Sequence, residues 1–345
     1  MILIKRRRLA GMMRSWPART PALHMALALL FVAPAFAQET EPRRPVHTFS
    51  IVARDAATGQ MGVAVQSHWF SVGGVVTWAE PGVGAVATQS FALRSYGPLG
   101  LELMRNGMTA DQALTALVAG DAHPEGRQVG MVDAQGNIAN YTGPSAIREA
   151  CNIEGEDFTA QANMMGPSTV CTAMAAAYQA AEGDLAARLM AALSAAQREG
   201  GDIRGQQSAA ILVVSGDRTQ HAWSGRIFDL RVEDSERPIQ ELERLLGLAR
   251  AYNLMTEGDD AMAAGDVATA RERYTSAMAL APDNHEMVFW TAVTLASTGD
   301  VDEALPLFRR AFRMHRPWRE LLQRLPAAGQ FPDDPALMSR ILAVR

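Results

Sequence analysis

Apolar positions recur with two periods along this chain, and the change between them divides it. From Thr48 onward the runs are short and rich in β-branched residues. Thr48–Arg54 (Thr-Phe-Ser-Ile-Val-Ala-Arg) and Met61–Gln66 (Met-Gly-Val-Ala-Val-Gln) flank the turn-forming Asp55-Ala-Ala-Thr-Gly59, which predicts a β-hairpin. Gly74–Ala79 and Gly84–Gln89 predict two further strands, each buried on at least one face. The spacing then turns helical. Leu99, Leu103 and Met104 share one side of a helix over 99–106, and Thr109 with Gln112 has the capping-box pattern that opens another, to Val118. Gln128–Val132 and Asn137–Tyr141 predict a second hairpin across Asp133–Gly136. Ser168–Ala181 and Asp184–Arg198 are Ala-rich helices; Leu185, Leu189 and Leu193 recur at i+4, and Gly200-Gly201 ends the run. Ala209–Val214 and Phe228–Val232 return to strand. Two groups of strands, each followed by helices, predict an α+β domain in which helices pack on stacked, largely antiparallel sheets.

Beyond Arg237 the pattern is helical to the end, and it repeats. Gly265-Asp266 recurs as Gly299-Asp300, and Ala270, Tyr274 and Ala277 recur as Ala304, Phe308 and Ala311. Each offset is about 34 residues, the tetratricopeptide period. Gly258 and Pro282 stand where that pattern takes its small residue and its terminating proline. In the second copy Ala292 replaces the glycine and the proline slips to Pro317. Such a unit cannot bury its apolar face alone, so the repeats are expected to lean on a preceding helix, Gln240–Leu254, or on the α/β domain.

The first residues read as an address. Lys5, Arg6, Arg7, Arg8, Arg14 and Arg19 precede the apolar run Met25–Ala33, and Ala35-Phe36-Ala37 supplies the small residues of a signal-peptidase site. The apolar run is shorter than the ~20 residues of a membrane span. Residues 1–37 are therefore expected to be a signal peptide cleaved after Ala37, giving a periplasmic or secreted protein with no stable membrane span. Residues 38–46, polar and Pro-rich, are expected to be a linker. Removing 1–37 leaves 26 of the 32 basic residues against 37 acidic ones, a net charge of −11. No broad basic surface is implied, which argues against nucleic acid or anionic lipid as partner. Lys5 is the sole lysine, so the mature chain has none for Schiff-base or P-loop chemistry. Cys151 and Cys171 are either bridged, as an oxidising compartment permits, or packed as two buried thiols.

Several blocks together resemble one family. They are Thr48-Phe-Ser-Ile-Val-Ala-Arg-Asp, Gly62-Val-Ala-Val-Gln-Ser-His-Trp69, Gly82-Val-Gly-Ala-Val-Ala-Thr-Gln-Ser90, Ser95-Tyr-Gly-Pro-Leu-Gly-Leu101, Gln161-Ala-Asn-Met-Met165 and Gly200-Gly-Asp-Ile-Arg-Gly-Gln-Gln-Ser208. The chain is similar over about 47–235 to the domain of unknown function 1028 family. That resemblance implies the fold of the N-terminal nucleophile hydrolases, a four-layer αββα sandwich, here over 47–235, with an all-α tetratricopeptide-like domain over 236–345. It implies an amide-bond hydrolase as reaction class and leaves the substrate open. Members often carry a C-terminal helical extension assigned to peptidoglycan binding.

Hydrolases of this kind need Thr, Ser or Cys as the first residue of a strand, because its own α-amine takes the proton from its side chain. Thr48 opens the first strand and is the candidate nucleophile. Cleavage after Ala37 leaves Gln38–His47 in front of it, so this mechanism requires a second cut between His47 and Thr48. With lysine absent, Arg54, Arg94 or Arg204 would have to tune the nucleophile, or none does; Arg itself cannot act as a base. His68 is a candidate general base for Thr48, Ser50 or Ser67. Asn163 is a candidate oxyanion donor, or else a helix cap. In the polar loop Gly201–Ser208, Asp202 is placed to orient an amine and Arg204 to pair with a substrate carboxylate, unless the two pair with each other. Ser67, Arg204, Gln207 and Ser208 are the expected substrate contacts. No metal or cofactor is expected, since the histidines are scattered and Gly82-Val-Gly84 lacks a third glycine; the nucleophile elbow G-x-S-x-G does not occur either. Two readings stand: an exported amidohydrolase acting on a small amide or peptide through Thr48, or a non-catalytic protein whose repeats hold peptide or peptidoglycan. Homo-oligomerisation stays open.

Overall fold

The computed structural model of the chain describes residues 45–46, 48–218 and 221–345. The expected signal peptide, all but the last two residues of the expected linker, and His47 lie outside the described residues.

The strands are β1 (Thr48–Arg54), β2 (Met61–Ser67), β3 (Thr77–Glu80), β4 (Gly84–Ser90), β5 (Arg127–Asp133), β6 (Ile138–Thr142), β7 (Cys151–Gly155), β8 (Phe158–Ala162), β9 (Ser208–Val214) and β10 (Arg226–Val232). The helices of the same region are α1 (Gly73–Val76), α2 (Tyr96–Arg105), α3 (Ala110–Gly120), α4 (Val170–Ala180) and α5 (Leu185–Arg198). Two antiparallel sheets result, one in the order β10-β9-β2-β1-β8-β7 and one in the order β3-β4-β5-β6.

Alternation along each strand decides what lies between the sheets. Phe49, Ile51 and Ala53 of β1 point away from the smaller sheet and pack with Met174 and Tyr178 of α4 and Leu189 and Leu193 of α5. Val52, with Val63 and Val65 of β2, Leu212 and Val214 of β9, and Ala85 and Ala87 of β4, forms a second core between the two sheets. Val86, Val129 and Met131 face the other way, onto Leu101, Met104 and Leu114 of α2 and α3. Both sheets therefore have helices on their outer faces. A one-residue slip of β1 would exchange its two faces, which fixes the register Thr48↔Ser67 and Ile51↔Ala64.

Two segments differ from the sequence expectation. Gly74–Ala79 is not a single strand: α1 takes its first half and β3 begins only at Thr77. Packing overrides β-propensity here. A β-carbon on Gly73 would lie 2.7 Å from Ala210 Cβ, so only glycine lets this turn settle on β9 and bury Val75 and Val76. The hairpin β7–β8, which the sequence reading leaves unassigned, pairs Cys151↔Ala162 through Gly155↔Phe158 at the side of β1.

The question of the two cysteines is settled: Cys151 of β7 and Cys171 of α4 form a disulfide. It ties the outermost strand of the larger sheet to the helix covering it, across a sequence separation of 20 residues. Loop-closure entropy then gives roughly 3 kcal/mol of stabilisation. Reduction, or Cys151→Ser with Cys171→Ser, should lower the unfolding free energy by about that amount in urea titrations; a loss below about 1 kcal/mol would mean the hairpin is held without it.

The C-terminal part comprises α6 (Pro238–Ala263), α7 (Val267–Leu280), α8 (His285–Ser297), α9 (Val301–Met314), α10 (Trp318–Arg324) and α11 (Pro335–Leu342). The expected boundary near residue 236 falls just before a helix that serves both parts. Ile239, Leu242 and Leu246 of α6 join the core under the larger sheet, whereas Ala251 and Met255 join the first repeat. Within that repeat Gly258 meets the Tyr274 ring, which a β-carbon would approach to 2.8 Å. The aromatic thus fills the space that the missing side chain leaves. In the second, Ala292 and Phe308 share a core with Phe289 and Ala311.

Candidate functional site

Thr48 begins β1 on the face turned toward the smaller sheet. Register sets Ser67 beside it on β2, and Ser208 beside Ser67 on β9, so three hydroxyls lie in one row at one end of the larger sheet. All three residues are fully buried. On the other side of β1, the Asn163 N–H donates to the Thr48 carbonyl at 3.1 Å.

Behind this row the inter-sheet space is polar instead of aliphatic. Ser50 Oγ donates to Gln89 Oε1 at 2.7 Å and accepts from Gln161 Nε2 at 2.6 Å. Gln89 Nε2 donates to Gln128 Oε1 at 2.7 Å and to the Thr48 carbonyl at 3.2 Å. Gln128 Oε1 also accepts from Asn163 Nδ2 at 2.8 Å, while its Nε2 donates to the Ala162 carbonyl at 2.9 Å and Thr142 Oγ1 at 3.0 Å. Every one of these amide side chains is fully buried. Gly130 makes the room: a β-carbon there would come within 2.4 Å of Gln161 Oε1. A buried amide without partners costs ~1–3 kcal/mol, so the mutual saturation is what allows the cluster to exist. Its effect is to grip the Thr48 carbonyl from two sides.

The Thr48 hydroxyl is covered. Oγ1 donates to the Val46 carbonyl at 2.9 Å and lies 3.2 Å from Ser67 Oγ. Val46 is buried and forms an antiparallel bridge with Ser90, whose N–H donates to the Val46 carbonyl at 3.0 Å. Ser90 has φ 66°, in the left-handed region that costs a residue bearing a β-carbon. Its buried hydroxyl has no hydrogen-bond partner among the described residues.

His68, Asp202, Arg204 and Gln207 lie just beyond the strand ends. His68 is exposed, and its backbone N–H donates to Asp202 Oδ2 at 3.2 Å. The same carboxylate accepts from Arg204 Nη2 at 2.6 Å and, through Oδ1, from Arg204 Nε at 3.0 Å. Of the two readings of this pair, the structure has the one in which Asp202 and Arg204 hold each other. The Gln207 N–H donates to the Ser67 carbonyl at 3.1 Å, and Gln207 Nε2 to Asp234 at 3.1 Å. Ser208 Oγ donates to the Trp69 carbonyl and accepts from the Val72 N–H. Asn163 spends its side-chain amide on Gln128. Arg54 pairs with Asp157 at the opposite end of β1, six residues or ~20 Å from Thr48. It therefore cannot tune that residue.

A buried guanidinium does stand on the smaller sheet, at a position the sequence did not single out. Arg127 opens β5 opposite Ser90, donates from Nη1 to the Phe91 carbonyl at 2.7 Å, and pairs with Asp121 at 2.7 Å. Burial pushes Asp121 upward, but hydrogen bonds from Arg127, the His123 N–H and Tyr96 outweigh it and hold the carboxyl below the usual carboxylate range. With the chain continuous through His47, Thr48 has no free amine, and only Val46 and Ser67 hydrogen-bond its hydroxyl among the described residues. Among the described residues no amine or imidazole is hydrogen-bonded to the Thr48 hydroxyl.

Comparison with known proteins identifies both parts. The Family of unknown function (DUF1028) matches residues 48–242, and a Tetratricopeptide repeat family matches residues 255–315. Among solved structures, protein SPO2555 from Silicibacter pomeroyi, of the same DUF1028 family, is 31% identical. The match covers 58% of this chain and 88% of that one, with a TM-score of 0.52. No curated protein matches.

Proposed function

This chain belongs to the Family of unknown function (DUF1028), and from that premise we propose that it is an exported amide-bond hydrolase in a blocked form, with Thr48 as its nucleophile. On this reading the two sheets and their outer helices are the αββα sandwich of the N-terminal nucleophile hydrolases. The signal peptide leaves after Ala37, in the periplasm or outside the cell, and a second cut between His47 and Thr48 frees the threonine amine. That amine, with a pKa of ~8, takes the proton from the Thr48 hydroxyl as Oγ attacks an amide carbon. The leaving amine departs with the proton, and water then hydrolyses the acyl ester.

The observation that carries this reading is the position of Thr48. It is the first residue of a central strand that faces the other sheet, with its carbonyl gripped by Gln89 and Asn163 and its hydroxyl bonded, among the described residues, only by Ser67 and the covering Val46. The family match itself starts at Thr48. Val46 lies two residues before the bond to be cut, its side chain in the inter-sheet core and its main chain on Ser90. Removing it would expose Thr48 and free the Ser90 N–H for a substrate carbonyl.

The second reading, a non-catalytic protein that holds peptide or peptidoglycan, is favoured by a different observation. A groove of about 720 Å³ lies on the repeats, lined by Tyr252, Asp259, Tyr274, Glu286 and Trp290 among others. Burial and the hydrogen bond to Asp259 push the Tyr274 phenol up, so it stays neutral there.

The readings separate on a reagent. A chain beginning at Thr48 should be acylated on that residue by a simple β-lactone, giving one adduct by intact mass and peptide mapping; a chain beginning at Gln38 should not. Equal labelling of both, or a shorter chain with Thr48 unmodified, contradicts the enzyme reading.

A further inference from the structure

Between α9, α10 and the residues that follow α11 lies a pocket of about 450 Å³, lined by Arg309, Phe312, Arg313, Arg316, Arg319 and Arg345. No carboxylate side chain lines it. The sequence accounts for this: from Glu303 to Glu320 there are five arginines and no acidic residue. Elsewhere in the repeats arginines are matched. Arg271 pairs with Asp300 and Glu303, Arg273 with Glu257, Arg324 with Glu320 and Arg340 with Asp302. Arg309, Arg313 and Arg316 have no ion pair or hydrogen bond among the described residues.

Two of these cations, Arg309 and Arg313, stand one turn apart on α9, a spacing at which like charges repel. Arg319 is held in place. Its guanidinium lies 4.5 Å from the centre of the Phe312 ring, and its Nη1 donates to the Leu342 carbonyl at 2.7 Å. Those contacts satisfy donors and leave its charge uncancelled. A chain with net negative charge thus gathers several guanidiniums, three of them exposed and without an ion pair among the described residues, around one small concavity.

We propose that this pocket binds a phosphate-bearing ligand. A guanidinium fork matches phosphate oxygens two at a time, and several forks around one space call for a multiply charged oxyanion in place of a single carboxylate. The volume is at the lower end of small-ligand sites, which suits a phosphate or diphosphate group with a short attachment. The group can arrive on a soluble molecule or as a lipid headgroup; the recognition chemistry is the same. This site is independent of Thr48 and of the groove on the repeats.

Calorimetry on the full-length mature chain at low salt, with inorganic pyrophosphate as probe, tests the proposal. One site is expected. Arg313→Gln with Arg316→Gln should weaken it at least tenfold, while Arg324→Gln, whose partner is Glu320, should leave it unchanged. Vesicles of phosphatidylcholine with and without phosphatidylglycerol distinguish the sources. Sedimentation with the anionic vesicles alone, reversed by pyrophosphate, assigns a headgroup; pyrophosphate binding without sedimentation assigns a soluble ligand. No pyrophosphate binding, or binding that the double substitution leaves intact in a protein with an unchanged unfolding midpoint, overturns it.

Discussion

Thr48→Ala should abolish any amide turnover, by on the order of 10³-fold or more, while leaving the fold in place. The substitution removes two hydrogen-bond contacts of one hydroxyl, to the Val46 carbonyl and Ser67 Oγ, so the stability cost is only ~1 kcal/mol. The grip of Gln89 and Asn163 on residue 48 is a grip on its carbonyl and survives the change. Thr48→Ser keeps hydroxyl and amine and should retain turnover at a reduced rate. The comparison is made by following the N-terminus and the hydrolysis rate of all three proteins beside their urea unfolding. Turnover by Thr48→Ala at the rate of the unaltered protein would remove this residue from the chemistry.

Gln128→Leu should destabilise the domain by about 3 kcal/mol without touching Thr48. Gln128 accepts from Gln89 and Asn163 and donates to the Ala162 carbonyl and Thr142. Leucine fills comparable space and satisfies none of them, so the Gln89 and Asn163 amides, the Ala162 carbonyl and the Thr142 hydroxyl each lose one hydrogen bond. Gln128→Glu keeps the acceptor oxygens, loses the donor and buries a charge, and should be worse. Urea unfolding at constant m-value measures both. A change under 0.5 kcal/mol for Gln128→Leu would mean that the inter-sheet cluster is not held by these bonds.

Much of the scaffold was legible because the relevant signal is local. The alternation in Thr48–Arg54 and Met61–Gln66, the capping box at Thr109 and the recurring Ala-Tyr-Ala and Ala-Phe-Ala spacing each report on a few neighbouring residues. Thr109 does accept from the Gln112 N–H, and the Gln112 side chain accepts from the Thr109 N–H. Gly74–Ala79 misled for the opposite reason: its β-branched residues read as strand, and only the approach of Gly73 to Ala210 on β9 makes a helical turn the better solution. Cys151–Gly155 and Phe158–Ala162 were opaque because β7 alternates half-buried with exposed positions at the edge of the sheet.

The site was harder to read than the fold. Placing Thr48 at the head of the first strand needs only the strand itself. The glutamines Gln89, Gln128 and Gln161 carry a weaker signal that is visible afterwards: each falls on the inward position of a strand whose other inward residues are small, hydroxylic or aliphatic. Nothing in the sequence tells that three such positions on three strands converge, because β4 and β5 belong to one sheet and β8 to the other. Arg54 and Arg127 make the same point. They are indistinguishable as isolated arginines, and only register sets one beside Asp157 and the other opposite Ser90.

Sequencing the N-terminus of protein recovered from its native compartment, with its intact mass, tests the account most directly. The account predicts a mature chain whose first residue is Thr48. A homogeneous chain that begins at Gln38 and hydrolyses an amide at full rate would contradict it.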